Sequence, residues 1–379
     1  MGVRPHYKIV LTAVVGALVL TACGSSSKSA SGSTSSAPSS TAASSGASSS
    51  PASSAASSAA SGPNTPAPKP LPTMTNVVAS VPFLAIEGYA PLMLANYFGE
   101  FKKENLNVTI QQVQTNNLVV LMQQGKIDFA PAAPSAGIFN AIAGGADIKG
   151  VGGAGGGDGF SPDDKQGFYL RKGLIGADGK FDPCSLKGKK VSTGSATGLG
   201  APSVVQLASY LKQCNLTVKD VTIVPQGGND LLAALSSGAV DAGYLADPIW
   251  PQAVKAGMLL IQPVNVPITS YWMGSIREKQ PEVAAAIMRA LIRTVRTYLQ
   301  GDYRSNPEVK AGMIKSMQLT DAQLTGPSPL IFPAAFEFPT AAVDPIQQSW
   351  IDIGGLLNYK TPMPTSSYTD PKPRADALS

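Results

Sequence analysis

Histidine is nearly absent from this chain: the single one, His6, lies in the N-terminal segment of a sequence of 379 residues. If that segment is removed, no imidazole remains for acid–base catalysis, and most zinc, copper and iron sites lose their commonest ligand. Strong charge is lacking too. The formal net charge is +5, and Arg4 and Lys8 supply two of those charges, so no basic patch argues for nucleic acid. Cysteine is scarce, with Cys23, Cys184 and Cys214 the full set.

The N-terminus holds a basic head (Arg4, Lys8) followed by an apolar stretch from Ile9 to Ala22. A bilayer span needs about 20 apolar residues, so this run reads as a secretory signal over residues 1–22. Leu20-Thr21-Ala22-Cys23 reads as a lipobox, with cleavage before Cys23 and a lipid on its thiol. The alternative is an uncleaved anchor helix. Residues 23–73 are dominated by Ser, Ala, Gly, Pro and Thr. Such a segment cannot bury enough apolar surface to offset its ordering entropy. It is expected to be a disordered spacer with a root-mean-square reach of roughly 40 Å.

The remaining residues are long for one core and suit two lobes. Strand and helix signals alternate: strands at Thr75 to Val81, Val108 to Val113, Ile127 to Ala130 and Ile148 to Gly152, helices at Pro91 to Lys103, Leu118 to Gln124 and Ser135 to Ala143. This is an α/β pattern. Asn116, Leu118, Gly125 and Asp128 recur at one fixed offset as Asn229, Leu231, Gly238 and Asp241. Either common residues align by accident, or two lobes share one build. On the second reading the expected division is 74–165 for lobe 1, 166–274 for lobe 2, 275–370 for the return to lobe 1 with C-terminal helices, and 371–379 as a tail. Ligands of open α/β sheets bind beyond the carboxyl ends of the strands. The loops Pro131 to Ser135 and Tyr244 to Pro248 are therefore expected to face each other across a cleft.

Several segments carry a family resemblance. They are Pro91-Leu-Met-Leu-Ala-Asn-Tyr-Phe98 with Gly99-Glu-Phe-Lys-Lys-Glu-Asn-Leu106, Leu186-Lys-Gly-Lys-Lys-Val191 with Gly194-Ser-Ala-Thr197, and Val240-Asp-Ala-Gly-Tyr-Leu-Ala-Asp-Pro248. Asn306-Pro-Glu308 and Trp350 to Leu357 complete the set. In this order the chain resembles the nitrate/sulfonate/taurine family of ABC-transporter solute-binding proteins, which includes a thiamine-precursor group. The resemblance covers about Met74 to Asp370. It implies a two-lobed periplasmic-binding-protein-like type II fold with a ligand cleft, an ABC permease as partner, and no cofactor. The glycine-rich stretch Gly150 to Gly159 and its continuation to Pro183 are longer than the family's usual connection.

Binding chemistry can be placed on residues. Helix N-termini expose unpaired N–H groups and suit anions. Ser135, next to Pro134, opens one helix, and Ser195 and Thr197 stand where another begins after the strand Lys190 to Ser192. Each serine is either a ligand contact or an ordinary cap. Phe83, Glu87 and Tyr89 follow the first strand and should lie at the cleft. Glu87 is either a solvated carboxylate or the partner of a ligand amine, and Asp247 is either a cap or the same. Together the two carboxylates favour an ampholyte, such as a taurine-like or other amino-substituted compound, or a cationic heterocycle. Tyr244 is the aromatic best placed to reach the cleft, while Trp250 and Trp272 read as core. Arg289, Arg293 and Arg296 share one helix face, as a solvated stripe or a permease-docking surface. Cys184 and Cys214 are expected to form a disulfide at the outer end of a β/α unit. No metal site, catalytic residue or nucleic-acid partner is expected, and the chain should be a monomer tied to the membrane by its lipid. The rivals to solute binding are an enzyme of the same fold and a surface lipoprotein in signalling or adhesion.

Overall fold

The computed structural model describes residues 65–82, 84–153, 164–264, 269–326 and 329–379. The signal, the lipobox with Cys23, most of the spacer, and Phe83 lie outside the described residues.

Two five-stranded sheets organise the chain. The first contains β1 (Thr75–Val81), β2 (Leu106–Gln112), β3 (Phe129–Ala132), β4 (Lys149–Gly153) and β10 (Ser270–Met273), in the order β2-β1-β3-β10-β4. The second contains β5 (Gly167–Leu170), β6 (Lys190–Ser192), β7 (Thr222–Ile223), β8 (Ala242–Leu245) and β9 (Leu259–Pro263), in the order β7-β6-β8-β5-β9. The two orders are the same pattern. In each, three parallel strands are followed by one antiparallel strand and an edge strand. The antiparallel strand comes from the far side of a crossing: β5 begins the second lobe and β10 returns to the first.

The sequence repeat has a physical counterpart here. Asp128 accepts a hydrogen bond from the N–H of Val78 at 2.7 Å, tying β3 to β1. Asp241 accepts one from the N–H of Lys190 at 3.0 Å, tying β8 to β6. Gly125 and Gly238 end the preceding helices at φ of 65° and 80°, where a side chain would be strained.

Six helices connect the strands: α1 (Ala90–Tyr97), α2 (Thr115–Gln123), α3 (Ala136–Ala143), α4 (Val204–Lys212), α5 (Gly228–Ser237) and α6 (Trp250–Lys255). The C-terminal third adds α7 (Ile276–Lys279), α8 (Pro281–Tyr298), α9 (Pro307–Met317), α10 (Asp321–Leu324), α11 (Thr340–Ile353), α12 (Thr365–Tyr368) and α13 (Lys372–Leu378). Helix α8 is buried along Val283 to Val295 and forms the middle of the first core. Helix α11 sends Val343, Ile346 and Trp350 into a core shared by Phe139 of the first lobe and Leu211 of the second.

Several expected boundaries move. Ser270–Met273, assigned above to lobe 2 within 166–274, pairs with β3 and β4 in the first sheet. Its four buried residues have no periodicity that picks a sheet; the partner is a tertiary choice. The tail 371–379 is mostly α13, which packs on α8 and buries Ala377. Prolines at its start read as a break, but the first helical turn tolerates them. The spacer's end is not free either: Leu71 is buried, and Lys69 N–H donates to Glu104 Oε2 at 3.3 Å. The first helix stops at Tyr97, because Gly99 at φ 73° breaks it.

Arg289 and Arg293 are neither a solvated stripe nor a docking face. Both are 6% exposed. Arg289 donates to Glu104 at 2.9 Å, and Arg293 donates to Glu100 at 2.6 Å and to Glu104 at 2.7 Å. Arg296 is half-buried and donates to the carbonyl of Ala334 at 2.8 Å. The shared face was legible, but the two glutamates opposite it come from the turn after α1.

Cys184 and Cys214 form a disulfide with Cα atoms 5.2 Å apart. Cys184 precedes β6 and Cys214 follows α4. A helix running back along its strand brings these two ends together.

Candidate functional site

Helix starts from both lobes gather around one cavity of about 80 Å³. Lobe 1 contributes Tyr89, Thr115, Ala133 and Ser135; lobe 2 contributes Thr193 to Ser195, Thr197, Ser203, Gly228 and Tyr244. Thr115 and Gly228 are the first residues of α2 and α5, and Ser135 and Ser203 precede the first residues of α3 and α4. Each start carries unpaired N–H groups and the positive end of a helix dipole. Among the described lining residues there is no Lys, Arg, Asp or Glu. The volume holds several water-sized groups.

Local chemistry builds this lining. Gly194 sits at φ +75°, and a Cβ there would lie 2.5 Å from the Tyr244 carbonyl oxygen. Only glycine lets the β6 loop close on β8 in this way. Ser135 Oγ accepts from Ile138 N–H at 3.4 Å, capping α3 and leaving its own O–H proton for another acceptor. Ser195 Oγ accepts from Thr197 N–H at 3.2 Å and shares one hydrogen bond of 2.9 Å with Thr197 Oγ1. One donor of that pair stays available. Thr193 and Ser203, by contrast, donate to the carbonyls of Gly198 and Thr193 at 2.7 Å each.

Behind this cavity lies a charged cluster. Arg304 donates to Glu87 Oε1 at 2.8 Å and contacts Glu87 Oε2 and Asp247 Oδ2 through Nη2. Tyr303 donates to Glu87 Oε1 at 2.8 Å. Burial raises the Glu87 carboxyl, but hydrogen bonds from Asp247 and Arg304 and the Arg304 charge outweigh that and hold it below the usual range. Burial, with the charge of Glu87 behind it, pushes Asp247 well above. The two shifts run in opposite directions, so Asp247 is the more readily protonated of the two. Gln166 Oε1 accepts from Tyr244 O–H and from the Asp247 N–H, at 3.2 Å each. Burial raises the Tyr89 and Tyr244 phenols, so both stay neutral donors.

Of the residues singled out from sequence, Tyr89, Ser135, Ser195, Thr197 and Tyr244 surround the cavity. Pro134 is buried between the lining residues Ala133 and Ser135. Glu87 and Asp247 are drawn together by Arg304 and are not among the lining residues, so the amine partner expected of them is already inside the protein. Phe83 lies outside the described residues. Trp272 is core, donating to the Ala132 carbonyl at 3.2 Å, and Trp250 is buried. Sequence reasoning missed Thr115, Thr193, Ser203, Gly228, Tyr303 and Arg304. Thr115 was findable, as the residue that opens α2; Arg304 carried no local signal, lying far along the chain from Glu87.

No family model and no curated protein matches the chain. Solved structures do resemble it. The periplasmic nitrate-binding protein NrtA from Synechocystis PCC 6803 is 14% identical, with a TM-score of 0.62 over 82% of this chain and 89% of its own. The alkanesulfonate-binding protein SsuA from Xanthomonas axonopodis pv. citri, bound to MOPS, is 17% identical, with a TM-score of 0.56 over 77% and 97%. The periplasmic aliphatic sulphonate binding protein SsuA from Escherichia coli is 18% identical, with a TM-score of 0.54 over 79% and 92%. At these identities the likeness defines the fold: the two-lobed α/β architecture of periplasmic binding proteins, type II.

Proposed function

We propose that this chain is an extracytoplasmic solute-binding protein, lipid-anchored through Cys23, that captures a small organic oxyanion and hands it to an ABC importer. The carrying observation is the uncharged cavity ringed by helix starts and free hydroxyl donors from both lobes. Such a ring neutralises an oxyanion with dipoles and hydrogen bonds and needs no cationic side chain. The likeness in fold to nitrate- and sulfonate-binding proteins supports the same reading. So does the N-terminal segment, which reads as an export signal. A sulfonate-type anion with a small uncharged organic group fits better than an ampholyte, because Arg304 already occupies the two carboxylates. The protein binds without turnover.

A thermal-shift screen tests this with nitrate, taurine, MOPS and short alkanesulfonates set against cationic amines. A bound anion at a hundredfold excess over its dissociation constant stabilises the fold by about 2.7 kcal/mol. Stabilisation by amines alone, with none by anions, would sink the oxyanion reading.

A further inference from the structure

Asp247 belongs to the second lobe, whereas Glu87, Tyr303 and Arg304 belong to the first. One nitrogen of Arg304 contacts both Glu87 Oε2 and Asp247 Oδ2, so the two carboxylates lie within a few ångströms of each other. Neither is wet: Glu87 is 0% exposed and Asp247 4%. The titratable and charged groups that face Asp247 come from several elements. Glu87 comes from the turn before α1, Tyr303 and Arg304 from the turn before α9, Asp164 from the segment leading into β5, and Tyr244 from β8. Two carboxylates thus share one cation, with Asp164 adding a further negative influence nearby. Asp247 Oδ1 is also buried without a hydrogen-bond partner, and a bare carboxylate oxygen in that position is costly. A proton on Asp247 eases both faults: it removes one negative charge from the cluster, and a neutral carboxyl costs less to bury than a bare carboxylate.

We propose that closure of the two lobes takes up one proton from solvent, carried by Asp247 where it seats on Arg304 and Glu87. This deepens the solute-binding reading and rests on it for the idea that the lobes part and close. With the lobes apart, Asp247 meets water and is freed from the charge of Glu87, so its affinity for a proton falls toward that of an ordinary aspartate. Burial and the charge of Glu87 raise it in the closed form. A group raised in the closed form favours closure at low pH and loses that contribution as pH climbs from the open value through the closed one. Within that window each pH unit costs closure about tenfold. Asp247 acts as a positioning residue between the lobes, and the oxyanion cavity is completed when it is protonated.

The test needs no solute. Val120 on α2 and Val254 on α6 are 52% and 46% exposed, one in each lobe. Spin labels on Val120→Cys and Val254→Cys, in a chain carrying Cys23→Ser, report the interlobe distance; Cys184 and Cys214 are occupied by their disulfide. Pulsed distance measurements run from about pH 4 to about pH 9. The closed-to-open ratio should fall about tenfold per pH unit over part of that range. Asp247→Asn should hold one ratio throughout, and so should Glu87→Gln, which removes the competing carboxylate and leaves Asp247 paired with Arg304. A flat ratio in the parent chain, or an undiminished slope in Asp247→Asn, overturns the proton coupling. Neither result touches the anion screen, so this proposal and the function beneath it fail separately.

Discussion

Ser135 serves two parties at once. Its oxygen caps α3 by accepting from Ile138 N–H, and its proton remains for an acceptor in the cavity. Ser135→Ala should therefore cost about 1 kcal/mol of stability, as cap losses do, and weaken anion binding about tenfold, the equivalent of one lost hydrogen bond. Urea denaturation and calorimetry read the two effects; a stability loss with unchanged affinity would make Ser135 a cap only. Ser135, Ser195 and Thr197 were legible because helix starts and strand ends are local features of sequence. Glu87 and Asp247 were legible as carboxylates near the cleft but not in their state. Their state is set by burial, by each other and by Arg304, which no spacing or motif links to them, so the two carboxylates could be read from sequence but not the internal contact that joins them.

Among elements, α8 shows how far a pattern reaches. Its length and shared arginine face could be read directly. Its burial could not, since that depends on Glu100 and Glu104 arriving from elsewhere. Arg293→Met leaves both glutamates short of a partner inside the first core and should destabilise the protein by about 3–5 kcal/mol, read from the urea midpoint. Burial raises the Glu100 carboxyl, but Arg293 and Lys103 more than reverse this and hold it below its usual value. A carboxylate held low contributes stability above its unfolded value, about 4.3, and that contribution is lost as pH falls through the folded one. Acid should thus loosen this network while favouring the interlobe contact. At the other lobe, the Cys184–Cys214 bridge closes a separation of 30 residues. Its reduction should cost roughly 3–4 kcal/mol on the chain-entropy model. Affinity should hardly change, because neither cysteine lines the cavity.

The whole molecule is built on one sheet plan used twice. Asp128 and Asp241, at equivalent places in the sequence repeat, make equivalent ties between strands. That much of the architecture is written in the chain, and it is why the loops expected to face each other do enclose one cavity. The exchange of β5 and β10 between the crossings is not written locally. Fully buried strands read as apolar runs, and only the completed sheet chooses their neighbours. The consequence for function is that each lobe supplies helix starts to a shared, uncharged space. The central claim is that an oxyanion occupies it. The most direct measurement is calorimetric titration of the parent chain and of Ala133→Phe, which fills the cavity from its lobe 1 wall, with the anion that gives the largest thermal shift. One site per chain is expected in the parent, with affinity at least about a hundredfold weaker in Ala133→Phe, a loss of about 2.7 kcal/mol, and the fold intact by circular dichroism. Equal affinity in the two proteins would place the anion elsewhere and contradict it.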